Sequence, residues 1–100
     1  MNARTRNVSI QVLPLIPDAI PVVDKAIRVI QDSGVRYEVG PMETTLEGED
    51  LDELLTVARR AHEACFDGAD TVVTVIKIAD SVNGTSIEGK TAKYRGGAAG

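Results

Sequence analysis

The feature that most constrains this chain is a hinge, Gly40-Pro41, set between two short β-favouring runs. Arg36-Tyr37-Glu38-Val39 precedes it, Glu43-Thr44-Thr45-Leu46-Glu47 follows, and Gly48 stops the second run. Gly and Pro between alternating runs predict a β-hairpin. An amphipathic helical pattern flanks the hairpin on each side, and an apolar strand lies beyond each helix. Val8 to Leu15 alternates over four pairs, with Val8, Ile10 and Val12 on one face and Ser9, Gln11 and Leu13 on the other. Pro14 ends regular pairing there or marks an edge or bulge. Pro17-Asp18-Ala19-Ile20-Pro21 reads as a helix start, with Asp18 as N-cap and Pro21 in the first turn. Ile20, Val23, Ile27 and Ile30 form its apolar stripe, and Gly34 supplies a left-handed stop. After the hairpin, Asp50-Leu51-Asp52-Glu53 has the form of a capping box. Leu51, Leu54, Leu55, Ala58, Ala61 and Cys65 make the second stripe, closed by Gly68. The last strand, Thr71 to Ile78, is apolar on both faces over its middle, which predicts burial on both sides.

The order is therefore βαββαβ. With right-handed crossovers it gives the ferredoxin-like α+β sandwich, a four-stranded antiparallel sheet with two helices on one face. The expected organisation is a flexible N-terminal arm over residues 1–7, one domain over 8–80, and a polar, Gly-rich tail over 81–100. That tail is expected to hold a short strand or arm and to be disordered after about Tyr94.

Composition narrows the function classes. A net charge of −4 argues against a nucleic-acid partner, which would call for a basic face. The sheet also lacks the aromatics that an RNA-reading surface needs. No apolar run approaches the roughly 20 residues of a membrane span, and Ser9 and Gln11 interrupt any signal-peptide core. A single cysteine excludes an internal disulfide and suits a reducing compartment, so a cytoplasmic location is expected. With three aromatic residues, the core must be aliphatic.

Several motifs fail on context. Gly84-Thr85-Ser86-Ile87-Glu88-Gly89-Lys90-Thr91 matches the P-loop string literally. Its mechanism, however, needs a parallel strand before it and a helix whose N-terminus meets the phosphates. His62-Glu63 has Phe66 where a zinc-protease helix carries its second histidine. Cys65 has no metal-ligand spacing and reads as a core thiol. No serine stands in a nucleophile-elbow context for the sole histidine to serve. Neither a cofactor nor a metal is expected.

Two helices cover one face of a sheet only. The other face would carry Ser9, Gln11 and Leu13, alternate residues of the hairpin, and part of the last strand. Monomers rarely expose so large an apolar patch, so a second copy packed sheet against sheet is expected. Gln11, Thr45 and Glu47 would then be enclosed and would require partners. Hydroxyls and a carboxylate lined by aliphatics suit a small polar or cationic ligand. They can equally bond one another or water.

Gly34-Val35-Arg36-Tyr37-Glu38-Val39-Gly40-Pro41-Met42, followed by Thr44 and Glu47-Gly48-Glu49, resembles the hairpin signature of the thiamine-binding (YkoF-like) family. Leu13-Pro14-Leu15, Ala61-His62-Glu63-Ala64, Gly68 and Ile76-Lys77-Ile78 extend the resemblance to about residues 8–80. It implies a homo-oligomer, commonly a tetramer packed through its sheets, that binds thiamine or its hydroxymethylpyrimidine moiety without turnover. Ser9 departs from the pattern, since many relatives carry Gln or Glu there.

An aminopyrimidine offers ring-nitrogen acceptors and an amine donor, which Ser9, Gln11, Thr44 and Thr45 could read. Glu47 or Glu38 could neutralise the thiazolium. Strand parity separates Thr44 and Leu46 from Glu43, Thr45 and Glu47, so all cannot line one pocket without a bulge. Glu47 and Thr45 rank first on the open face. Thr44 is kept for its place in the motif, although it could face the helices, and Glu38 could be a solvated edge carboxylate. The expected function is non-enzymatic ligand binding as a buffer, carrier or sensor. The alternatives are a ligand-free structural or regulatory oligomer and, third, an enzyme acting on a small heterocycle.

Overall fold

A computed structural model describes residues 4–96. The elements run β1 (Arg6–Pro14), α1 (Ile20–Asp32), β2 (Arg36–Val39), β3 (Thr44–Gly48), α2 (Leu51–Ala64), β4 (Val72–Ala79) and α3 (Ile87–Gly96). The sheet is antiparallel with strand order β2-β3-β1-β4, and α1 and α2 pack together over one face. This is the expected α+β sandwich, with an additional third helix.

The core lies between that face and the two helices. Val8, Ile10 and Leu46 point inward from β1 and β3. They meet Val22, Ala26 and Ile30 of α1 and Leu54, Val57, Ala58 and Ala61 of α2. Burying a leucine such as Leu54 contributes about 1.5–3 kcal/mol. Cys65 closes α2 inside this core, where burial pushes its thiol pKa up.

The helix ends differ from expectation at one point. Asp50 caps α2 as predicted, its carboxylate accepting from the Glu53 N–H. Asp18 does not cap α1. Ala19 occupies the N-cap in a helical backbone conformation without a side-chain bond, and Pro21 removes one unpaired donor from the first turn. The α1 stripe is also rotated. Its centre line runs through Val22, Ala26 and Ile30, Val23 and Ile27 turn toward the hairpin, and Ile20 is exposed. At the C-terminus, Gly34 adopts φ +86° as the expected left-handed stop, while Ser33 Oγ donates to the Ile30 carbonyl. Gly68, at φ +145°, packs so closely on α1 that a Cβ would lie 2.9 Å from Val22 Cγ2.

Burial of β4 on both faces is not found. Strand order puts β4 at the sheet edge, where α2 covers only the start of the strand, at Val72 and Thr74. Val73 and Val75 are exposed on one face and Ile76 and Ile78 on the other. Both ends of the chain also differ from their compositional reading. β1 begins at Arg6, within the expected arm, and Arg4 and Arg6 both pair with Asp80 at the end of β4. Residues 81–86 turn back beside the start of β1 through Thr85 N–H donating to the Thr5 carbonyl, and α3 follows. The disorder expected after Tyr94 falls partly on residues 97–100, which lie outside the described residues.

Candidate functional site

Pairing register decides which side chains share the face that α1 and α2 leave uncovered. Arg36, Glu47, Asn7 and Ala79 form one row across the sheet, and Glu38, Thr45, Ser9 and Lys77 form the next. Farther along, Gln11 lies opposite Val75, and Leu13 opposite Val73. The intervening rows, Tyr37-Leu46-Val8-Ile78 and Val39-Thr44-Ile10-Ile76, point toward the helices.

The two polar rows enclose a hollow of about 330 Å³, lined by Asn7, Ser9, Glu43, Thr45, Lys77, Ile78 and Ala79. That volume is at the lower end of the range for small-molecule sites, about 300–1,000 Å³. Two features of its floor are unusual. Asn7 and Ser9 are only 2% and 9% exposed, yet Asn7 Oδ1 and Ser9 Oγ have no hydrogen-bond partner among the described residues. Buried polar atoms are nearly always paired, and leaving one unpaired costs about 1–3 kcal/mol.

The rim is charged. Lys77 Nζ reaches both carboxylate oxygens of Glu43, at 3.1 and 3.0 Å. The bond from Lys77 holds the Glu43 carboxyl below its usual pKa, while partial burial pulls the other way. The Ser9 hydroxyl is close enough to favour the Glu43 anion slightly, although it does not meet the carboxylate in hydrogen-bonding geometry.

Of the residues predicted from sequence, Ser9 and Thr45 line the hollow, and Glu38 lies in the same row, half-buried on the outer strand β2. Glu47 stands beside the hollow on the same face but is turned to a structural task. Its side chain is 8% exposed and accepts from Asn7 Nδ2 at 3.2 Å, from the Ile87 N–H that opens α3, and from Arg36 at 3.1 Å. Gln11 lies farther along β1, past the hollow. Thr44 faces the helices at 6% exposure, and with Gln11 it lines a separate cleft of about 130 Å³ between α1 and the hairpin tip. The structure therefore gathers Ser9 and Thr45, keeps Glu38 and Glu47 adjacent, and separates Gln11 and Thr44 from the hollow.

Sequence reasoning missed Asn7, Glu43 and Lys77. All three obey the alternation already used for Ser9 and Thr45. Carrying β1 one residue earlier and reading Lys77 at the same parity would have found two of them, while Glu43 already stood at the parity of Thr45 and Glu47 without being ranked as a site residue.

The site offers one fixed acceptor, two hydroxyls and an ion pair over a hydrogen-bonding floor, which suits a heteroaromatic ligand carrying both donors and acceptors. Other chemistries fit poorly. Glu47 already occupies the N-terminus of α3, and the Gly89 N–H is taken by Ser86 Oγ, so the P-loop string presents an acidic group where a phosphate would bind. β4, which precedes that string, pairs antiparallel with β1. His62 Nδ1 meets Thr74 Oγ1 at 2.5 Å, tying α2 to the sheet. Among the described residues, no three His, Cys, Asp or Glu side chains gather as a metal site, and no helix is long and apolar enough to cross a membrane.

Comparison with known proteins agrees with this architecture. The chain is 44% identical over 94 residues to a UPF0045 protein of Clostridium perfringens, covering 91% of this chain and 98% of that one. A solved structure from Bacillus cereus, described as a domain of unknown function (DUF77), is 51% identical with a TM-score of 0.84, covering 95% of this chain and 96% of its own. A Thermotoga maritima structure, named provisionally as a thiamine biosynthesis/salvage protein, is 35% identical with a TM-score of 0.82, covering 91% and 99%. Residues 8–95 match the family described as "Thiamine-binding protein". By fold, by extended identity and by that match, the chain belongs to the thiamine-binding protein family.

Proposed function

We propose that this protein binds thiamine or its hydroxymethylpyrimidine moiety, without turnover, in the hollow on the open face of its sheet. The observation that carries the reading is the pair of unpartnered, buried polar atoms on the floor, Asn7 Oδ1 and Ser9 Oγ. An aminopyrimidine supplies a donor for the first and a ring-nitrogen acceptor for the second, and Thr45 stands beside them. The family description and the name of the Thermotoga relative point to the same class of ligand. Glu38, half-buried in the same row, would add negative charge near a thiazolium. Gln11, Thr44 and Glu47 then act around the site, by lining its approach or by holding β3 and α3 in place.

The site works within a homo-oligomer, a tetramer being the form that the family resemblance implies. Leu13, Val73 and Val75 are exposed together on the open face, and a second sheet packed there would cover them and roof the hollow. Buffering, carriage or sensing in a reducing, cytoplasmic setting fits a binder whose one cysteine is buried as a free thiol.

Isothermal titration with thiamine and with hydroxymethylpyrimidine tests the reading. Saturable heat with at least one of them is expected. Absence of heat at millimolar concentrations of both would instead favour a ligand-free oligomer, and product formed on prolonged incubation would favour an enzyme. Sizing at micromolar protein should show an oligomer, and a monomer there would contradict the assembly.

A further inference from the structure

We propose that Asn7 is the specificity-determining residue of this site, and that it selects ligands by an exocyclic amino group. The inference rests on the binding reading above and narrows it.

The orientation of the Asn7 amide is not free. Its Nδ2 is surrounded by acceptors: the Glu47 carboxylate at 3.2 Å, the Arg6 carbonyl at 3.3 Å and the Leu46 carbonyl at 3.5 Å. Flipping the amide would set Oδ1 against three oxygens, one of them charged. The NH₂ end therefore stays on the β3 side, and the planar group turns Oδ1 away from Glu47. Glu47 is itself held by Arg36 and by the Ile87 N–H, so the arrangement is braced from a second element. The result is an acceptor that cannot rotate into a donor, carried by a residue that lines the hollow and is 2% exposed.

Ser9 Oγ differs in kind, because a hydroxyl can rotate to donate or to accept. Ser9 tolerates either polarity in a ligand, whereas Asn7 demands an N–H or O–H. Glu43 and Glu47 do not change this selection, since Glu43 is paired with Lys77 and Glu47 with Arg36. Between pyrimidines that carry no thiazolium for Glu38 to meet, discrimination thus rests on a neutral donor carried by the ligand. Sites that hydrogen-bond a ligand group reject the analogue lacking that group much more strongly than apolar pockets reject a change of size.

The test is titration of the full chain with hydroxymethylpyrimidine and with the same pyrimidine lacking its amino group. The deamino compound should bind at least about tenfold more weakly, because only the amino compound brings a donor to the already buried, unpartnered Asn7 Oδ1. In Asn7→Leu, checked for folding by circular dichroism, the amino compound should fall to the affinity of its deamino counterpart, so that the ratio collapses toward one. A merely structural role for Asn7 would lower both affinities and leave the ratio intact. Equal binding of the two compounds to the unmodified protein overturns the inference even if the variant does not fold, as does a ratio preserved in the variant. If neither pyrimidine nor thiamine binds the unmodified protein, the binding reading fails and this inference falls with it. Tight but equal binding of the two pyrimidines sinks the inference alone.

Discussion

Replacing Ser9 with alanine should stabilise the protein while weakening the proposed pyrimidine binding. Ser9 is 9% exposed and its Oγ has no partner among the described residues, so the folded state carries a desolvated hydroxyl that the unfolded chain would hydrate. That cost is about 1–3 kcal/mol. Part of it is returned, because the hydroxyl dipole lies near the Glu43 carboxylate and favours its anion slightly. The net expectation for Ser9→Ala is a gain of about 1 kcal/mol, a rise in Tm of about 4–8 °C for a domain of this size. Urea and thermal unfolding should be compared at one protein concentration, since an oligomer's apparent stability depends on it. In titration, the same variant should lose about 0.5–1.5 kcal/mol of pyrimidine affinity, roughly twofold to thirteenfold, for the lost hydrogen bond. This is the trade expected where a site, rather than the fold, sets the residue. A Ser9→Ala protein that is less stable, with the Glu43 pKa raised, would refute the reasoning by showing that the hydroxyl serves Glu43.

Three further outcomes follow from the same geometry. Glu47→Gln removes the charge that joins Asn7, Arg36 and the start of α3; discounting for the half-exposed Arg36, it should cost about 2 kcal/mol. Hydrogen exchange should localise the change, with the amides of α3 losing protection while Val8 and Ile10 keep theirs. The Asp80 carboxyl, lowered from 3.8 to about 2 by hydrogen bonds from Arg4 and then Arg6, contributes stability that is complete above the unfolded value and is lost as pH falls through the folded one. Wild-type stability should therefore drop more steeply than that of Asp80→Asn between 3.8 and about 2, as followed by urea unfolding across that pH range. Leu46→Ala, at a position of 0% exposure, should cost about 2–5 kcal/mol in urea unfolding, a large part of the 5–15 kcal/mol typical of a domain.

Alternation with a period of two is a local property, and it assigned both faces of β1 and β3 correctly from sequence. Ser9 and Thr45 were legible for that reason. Asn7 was not, because Arg6-Asn7 looks like the end of a charged arm until Asp80 is seen to draw both Arg4 and Arg6 against the sheet edge. The apolar middle of β4 suggested a strand buried on both sides. Its edge position depends instead on the order of strands, which local pattern does not encode. Glu47 was ranked as a counter-ion because its parity was right. Its capture by the Ile87 N–H spans 40 positions and involves a segment whose composition did not predict a helix. That bond also accounts for the failure of the P-loop string, since the helix is present but its N-terminus already holds a carboxylate.

The hollow and the exposed apolar strip lie on the same face, so the proposed binding and the proposed assembly would be linked. If a second copy covers Leu13, Val73 and Val75, water is excluded from the neighbouring rows that hold Asn7 and Ser9. Losing that water makes an unpartnered polar atom costlier and a satisfied hydrogen bond stronger. The empty assembled state then carries a larger penalty than the separated state, and a ligand that pairs both atoms removes it. A ligand favouring one state must be bound more tightly by that state, by thermodynamic reciprocity. The proposed oligomer should therefore dissociate at lower protein concentration with ligand present than without it, as read by analytical ultracentrifugation across a dilution series. Ser9→Ala, which removes part of the penalty, should narrow the difference between the two conditions. Dissociation unaffected by a saturating ligand would show that the closing surface and the hollow are energetically separate, and that the polar floor is not enclosed when the sheets meet.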